Sequence, residues 1–79
     1  MLTAAQIRAA RALLDWTQPD LAREAGLSLP TVRRMEGAMG PGRSSAANVD
    51  AVRRALENGG VEFIGADDTG KGAGVRLKK

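Results

Sequence analysis

The sequence contains no cysteine, no histidine and no tyrosine. Without thiols the chain has neither a disulfide framework nor thiolate ligands, and without imidazole it lacks the commonest ligand of transition metals. We therefore expect no metal site and no cofactor. The acidic residues are scattered, so that no nucleophile stands beside a base, and we expect the protein not to be an enzyme.

Long apolar runs and aromatic residues are scarce as well. No segment approaches the roughly 18 apolar residues of a membrane-spanning helix, and Met1 is followed at once by an amphipathic pattern rather than a leader sequence. We therefore predict a cytoplasmic protein that makes no membrane contact. Trp16 and Phe63 are the only aromatic residues in 79, which predicts one small domain with an aliphatic core.

Capping signals mark the first two helices. Thr3 is a suitable N-cap, and Gln6 stands three residues later as its partner in a capping box. Thr17 precedes a second helix whose first turn carries Pro19, a position that tolerates proline. Gly26 is expected to end this helix, since glycine adopts the left-handed conformation without strain.

Similar signals predict a third and a fourth helix. Ser28 is the N-cap of the third, with Pro30 in its first turn. Residues 37–45 are rich in Gly, Ser and Pro and are expected to form a loop. Apolar residues at helical spacing then predict the fourth helix, which the glycines at 59 and 60 end; these residues are Val49, Val52 and Leu56.

Beyond residue 58 the apolar pattern changes to that of strands. The runs Val61–Ile64 and Gly74–Leu77 are β-prone and predict a hairpin. Because an isolated hairpin is marginally stable, its strands either cap the helical core of their own chain or pair with a second copy. In the second arrangement the predicted dimerisation residues are Val61, Phe63, Ile64, Val75 and Leu77.

The segment TQPDLAREAGLSLPTVRRME, residues 17–36, resembles the helix-turn-helix of the phage-repressor-like regulators of the Xre (Cro/C1) family. The resemblance rests on Gln18 at the start of helix two, on Leu21 with Ala22 inside it, and on Gly26 at the turn. It implies a mainly α fold: a four-helix, lambda-repressor-like DNA-binding domain over 1–58, followed by a β-hairpin extension over 59–79 in the same compact unit.

What this resemblance implies is a transcriptional regulator that inserts helix three into the major groove of an operator or promoter. The net charge of +3 is compatible with this interpretation but does not establish it. The predicted DNA-binding residues lie at the start of helix two, along helix three and in the following loop: Thr17, Gln18, Ser28, Leu29, Pro30, Thr31, Arg33, Arg34 and Arg43.

Three arginines have more specific predicted roles. Arg34 is expected to read a base, whereas Arg33 either contacts a phosphate or is merely solvated, and Arg43 has the same two alternatives in the loop. The resemblance also implies a structural ion pair between Arg11 and Glu36. A solvated guanidinium is the alternative for Arg11, because surface ion pairs usually contribute little to stability.

The predicted partners are double-stranded DNA and a second copy of the chain in a homodimer, with a second regulatory protein or RNA polymerase as a further partner. Leu29 and Pro30 are apolar where the family often has polar residues. They either meet thymine methyl groups or pack against a protein. An alternative function therefore stays open, a protein-interaction module of the antitoxin or coactivator kind.

One motif points to a different function. Residues 65–71 match the pattern G-x-x-x-x-G-K of phosphate-binding loops, but Gly72 follows where such a loop needs Ser or Thr for Mg²⁺. We interpret this segment as turn residues of the hairpin.

Overall fold

The computed structural model describes residues 2–65 and 72–78. Within them, four α-helices are followed by a two-stranded antiparallel hairpin, and the predicted mainly helical architecture is confirmed. None of these helices is long and apolar enough to cross a membrane. The elements are α1 (Ala4–Leu13), α2 (Gln18–Ala25), α3 (Leu29–Met35), a 3-10 turn (Gly40–Arg43), α4 (Ala46–Gly59), β1 (Val61–Ile64) and β2 (Gly74–Leu77).

The first two helices begin with capping boxes. The Thr3 hydroxyl accepts from the backbone N–H of Gln6 at 3.1 Å, and the Gln6 side-chain oxygen accepts from the backbone N–H of Thr3 at 2.9 Å. Thr17 and Asp20 form the same pair of bonds at the start of α2. Each box satisfies backbone donors that the helix itself leaves unpaired, which fixes where the helix begins.

Left-handed residues end the same two helices. Gly26 has a φ of 70°, and the backbone N–H of Leu27 donates to the Ala22 carbonyl at 2.9 Å. After α1 the left-handed residue is Asp15, with a φ of 56°. Aspartate tolerates this conformation better than most residues do, so each helix turns tightly into the next.

The core is one cluster to which all four α-helices and β1 contribute buried residues. Inward-facing residues of α2, α3 and α4 are buried there, with exposures of 0 to 6%. Val49, also predicted on the apolar side of α4, packs only partly against this core. At the end of α4, a Cβ on Gly59 would lie 2.8 Å from Leu14 Cδ1 and 2.9 Å from Trp16 Cζ2. The lack of a side chain therefore lets this end of α4 approach the turn after α1 closely. The buried inward-facing residues are Leu21, Ala22, Val32, Met35, Val52 and Leu56.

The hairpin packs on the helices of its own chain, which is one of the two arrangements that the sequence left open. β1 lies against α4 and β2 against α1. The register pairs Val61 with Leu77 and Phe63 with Val75. Val61 is completely buried, Phe63 and Val75 pack partly against the core, and Leu77 is 44% exposed. Ile64, on the opposite face of the hairpin, is also exposed.

One buried polar side chain fastens the hairpin to α1. The Nε2 atom of Gln6 donates to the carbonyl oxygens of Ile64 at 3.1 Å and Gly74 at 2.9 Å. These two residues face each other at the end of the ladder. Gln6 is only 6% exposed. Its side-chain oxygen is bound in the capping box, so both polar atoms of the carboxamide have hydrogen-bond partners.

Candidate nucleic-acid interface

Helix α3 is short, and its first turn is stabilised by local hydroxyl groups. The Ser28 hydroxyl accepts from the backbone N–H of Thr31 at 3.3 Å, and the two hydroxyl oxygens lie 2.8 Å apart. On the inner side, Val32 and Met35 are each 1% exposed. Their burial fixes the rotation of α3 and decides which side chains face outward.

The outward side of α3 carries Pro30, Arg33 and Arg34, all exposed, while Leu29 and Thr31 are half-buried. Among the described residues, neither Arg33 nor Arg34 forms an ion pair with a carboxylate. Two adjacent, uncompensated guanidinium groups therefore lie on one exposed helix face. Such groups bind phosphate oxygens and the acceptor edge of guanine well.

Other exposed arginines form ion pairs with carboxylates of the same chain. Arg23 lies 3.0 Å from Asp20, Arg54 lies 2.8 Å from an Asp50 oxygen, and Arg76 pairs with Glu62. The positive charge of the fold is thus unevenly compensated. Of the surfaces described, the α3 face is one on which positive charge remains available to an anionic ligand.

The buried side chain of Glu36 accepts hydrogen bonds that connect α1 and α2 to the end of α3. Its carboxylate, 2% exposed, accepts from Arg11 Nε at 2.7 Å and from the Arg11 terminal nitrogen at 2.8 Å. The hydrogen bond to Glu36 raises the pKa of Arg11 above its ordinary value. In addition, Arg8 donates to the Glu36 backbone carbonyl at 2.7 Å, which ties α1 to the end of α3.

Gln18, one of the predicted DNA-binding residues, is half-buried and also bonds to Glu36. Its Nε2 atom donates to a Glu36 oxygen at 3.1 Å. Since this nitrogen carries two hydrogens, one N–H remains beyond the bond to Glu36.

Thr17 is exposed, but its hydroxyl caps α2. Hydrogen bonds from the backbone and hydroxyl of Thr17, and then from Arg23, lower the pKa of Asp20.

The remaining predicted contact, Arg43, is exposed and ends the 3-10 turn that packs against α3. Sequence reasoning missed Arg8 and the capping role of Asp20. Asp20 stands three residues after Thr17, the spacing of a capping box, whereas no local signal marks Arg8. The segment 66–71, which holds most of the phosphate-loop-like pattern, lies outside the described residues.

Neither protein-family models nor curated proteins give a match to the chain.

Proposed function

We propose that the protein is a sequence-specific DNA-binding transcriptional regulator of the Xre type. In this proposal α2 and α3 form a lambda-repressor-like helix-turn-helix, with α3 in the major groove and α2 across the phosphate backbone. The turn at Gly26 and the burial of Val32 and Met35 support it, because they hold the two helices at a fixed angle and leave one side of α3 exposed.

The observation that carries the proposal is the uncompensated pair Arg33 and Arg34 on that exposed side. Base readout needs donors that reach guanine acceptors, and phosphate binding needs positive charge that is not already neutralised. Arg33 and Arg34 supply such donors and such charge on α3, which supports the proposal. The internal bonds of Arg11 and Gln18 to Glu36 support the same proposal, since they fix α1 and α2 against α3.

Selection of random double-stranded oligonucleotides with the purified protein tests this function. Enrichment of a defined sequence is the expected result, and recovery of unenriched DNA would contradict specific binding. On the selected sequence, Arg34→Gln should weaken binding by roughly 1–3 kcal/mol and relax selection at one base position. Arg54→Gln is the matched control, because Arg54 is also an exposed helical arginine but is paired with Asp50 on α4.

The salt dependence of DNA binding tests whether Arg33 contacts a phosphate. If Arg33 contacts a phosphate, Arg33→Gln should lower affinity for all sequences alike and reduce the slope of log affinity against log salt by about 1. An unchanged slope would leave Arg33 as a solvated residue. If Arg34→Gln weakens binding to selected and random DNA equally, Arg34 is a phosphate contact rather than a base reader.

A protein-interaction module is the second candidate. Met39, just beyond α3, is 63% exposed, and Pro30 is exposed as well. Exposed apolar side chains beside the α3 face favour contact with a protein surface. Capture of a specific protein partner with little salt dependence, undiminished when Arg33 and Arg34 are both replaced by Gln, would favour this function over DNA binding.

A further inference from the structure

The outer edge of β2 carries peptide groups that the hairpin itself does not use. The Lys78 N–H donates to the Gly60 carbonyl at 2.9 Å, which makes these two residues a hydrogen-bonded pair. Since hydrogen-bonded pairs alternate with non-hydrogen-bonded pairs along an antiparallel ladder, Val75 and Leu77 belong to the second kind. Their peptide groups therefore point away from β1, and we call these two residues the open edge. Among the described residues, no backbone group of another element bonds to either of them.

Each residue of the open edge lines a cavity between the hairpin and the helices. Val75 lines a cavity of about 270 Å³ beside α1, where Ala5 and Ala9 are exposed. Leu77, itself 44% exposed, lines a second cavity of about 440 Å³ at the end of α4. Because Val75 and Leu77 are two residues apart in one strand, they share one face of the hairpin. The open edge is thus flanked by two separate recesses on that face.

The two recesses and the unpaired peptide groups together fit an extended peptide. A strand added at the open edge would form main-chain hydrogen bonds with Val75 and Leu77. Its side chains alternate between the two faces, so residues two apart would lie beside the two cavities. Sheet edges recognise extended peptides in this way, with backbone pairing for affinity and pockets for alternate side chains. The aliphatic side chains of the open edge favour apolar residues at those alternate positions.

The charge beside the open edge indicates that the peptide is acidic. Arg76 is paired with Glu62, whereas Lys78 is exposed and has no carboxylate partner among the described residues. The Lys78 Nζ atom donates to the Glu57 backbone carbonyl at 3.2 Å, which leaves two of its N–H groups for another acceptor. Because Glu57 also lines the second cavity, a carboxylate of the peptide belongs at the exposed ammonium group rather than inside that cavity.

A segment of another protein meets these conditions better than a second copy of β2 does. The strand Gly74–Leu77 contains no acidic residue, so a second copy paired through it would offer Lys78 no carboxylate. The second copy would bring a further Lys78 instead, whereas an acidic peptide is complementary in charge. A nucleic acid has phosphates for Lys78 but no peptide groups to pair with those of Val75 and Leu77.

We propose that the open edge binds an extended acidic segment of another protein as a third strand of the sheet. Apolar side chains at alternate positions of this segment occupy the two cavities, and a carboxylate binds Lys78. The two hydrogen bonds from Gln6 hold the hairpin against α1, so the edge is already formed in the single chain. None of these residues belongs to the α3 face, and the proposal does not rest on DNA binding.

Selection from a random peptide library displayed on phage, with the full chain and without DNA, tests the proposal. The enriched peptides should carry apolar residues two positions apart and an aspartate or glutamate next to them. A fluorescein-labelled synthetic peptide of the enriched sequence then gives dissociation constants by fluorescence anisotropy. Leu77→Gln should raise the dissociation constant about tenfold, because it removes an apolar contact of the second cavity.

Ile64→Gln is the matched control for Leu77→Gln. It makes the same replacement at an aliphatic residue of similar exposure, 38% against 44%, on the opposite face of the hairpin. The dissociation constant of the peptide should stay that of the wild type. The double variant Arg33→Gln, Arg34→Gln should also bind the peptide normally, and a loss there would place the peptide on α3 instead.

An exchange of charges tests the role of Lys78. Lys78→Glu keeps the backbone bond to Gly60 but reverses the side-chain charge, so it should weaken binding of the acidic peptide about fivefold. A peptide with lysine in place of its acidic residue should bind this variant more tightly than it binds the wild type. Equal affinity of the wild type for the two peptides would contradict a carboxylate at Lys78.

Amide hydrogen exchange locates the peptide on the strand. The Val75 and Leu77 amides should be protected only when the peptide is bound, whereas the Arg76 amide should be protected throughout, because it bonds within the hairpin. Val75→Pro removes one outward N–H without breaking the ladder of the hairpin, and it should also weaken binding of the peptide.

Four results would each overturn the proposal. They are a library that yields no enriched sequence, an enriched sequence without an acidic residue, a dissociation constant that Leu77→Gln and Val75→Pro leave unchanged, and protection of the Val75 and Leu77 amides in the wild type alone. The last result would mean that a second copy covers the edge. None of them bears on whether the chain binds DNA, which the oligonucleotide selection decides separately.

Discussion

The substitution Gln6→Glu keeps one hydrogen-bonding role of this side chain, in the capping box, and removes the other, to the hairpin. A glutamate keeps the oxygen that accepts from the Thr3 N–H, so the capping box survives. It replaces the nitrogen that donates to Ile64 and Gly74 with a second oxygen, which then faces two carbonyl oxygens. Two hydrogen bonds at about 1 kcal/mol each give a loss of about 2 kcal/mol. Burial of the carboxylate raises the expected loss at neutral pH to about 3–4 kcal/mol.

This loss should depend on pH with a definite sign. Burial and the two carbonyl oxygens disfavour the charged form, so the pKa of the introduced carboxyl is raised above its unfolded value of about 4.3. The extra destabilisation is complete above the raised pKa. It shrinks as the pH falls through that value, because the folded state then binds the proton more strongly than the unfolded state does. Once protonated, the carboxyl can also donate one hydrogen bond to a carbonyl.

Urea unfolding followed by circular dichroism, at neutral pH and at about pH 4, measures the effect as a difference from wild type at each pH. Two control variants separate the contributions. Thr3→Ala removes the hydroxyl cap alone and should cost about 1 kcal/mol. Gln6→Met removes both donors and also the oxygen that accepts from the Thr3 N–H, without adding charge, and its loss should not change with pH. The reasoning is refuted if Gln6→Glu is no less stable than Thr3→Ala, or if its deficit is the same at both pH values.

Three further substitutions test other parts of the fold. Glu36→Gln should lower the free energy of unfolding by about 3 kcal/mol, since it leaves the mostly buried guanidinium of Arg11 without its counter-charge, and urea midpoints measure this. Asp20→Asn should flatten the acid limb of the stability profile. The hydrogen bonds that lower the pKa of Asp20 give stability above its ordinary pKa, and this is lost as the pH falls through the lowered value. Gly59→Ala should destabilise the protein by about 1 kcal/mol, because the new methyl group displaces Trp16 and outweighs the gain in helix propensity; the fluorescence of this single tryptophan should shift to the red, and an unshifted spectrum would contradict the contact.

The ends of the elements could be predicted from the sequence because the signals are local. Thr3, Thr17 and Ser28 each accept a bond from a backbone N–H three residues later, so a short stretch of sequence contains both partners. Gly26 needs no partner at all, only its own freedom to adopt a positive φ. The bounds of β1 and β2 followed in the same way from short β-prone runs between glycines.

The packing of the hairpin could not be predicted in this way. From the sequence, the presence of Gln6 is accounted for by the capping box alone. In the fold, its side chain also bonds to residues 58 and 68 positions away. The same holds for Gln18, for which the family resemblance implies a DNA contact but does not show that Glu36 accepts from its amide. Long-range partners of a polar side chain depend on the fold, and the residue itself carries no signal for them.

The arginines illustrate how one residue type takes two roles in this fold. Arg11 is held by a buried carboxylate, and its replacement should alter stability before it alters any binding. Arg34 lies on an exposed face without an ion pair in the described part of the chain, and its replacement should alter binding while stability stays near that of the wild type. Composition and net charge treat the two residues alike. Only the position of the carboxylates divides them, and this difference supports the outer side of α3 as the surface proposed for DNA binding.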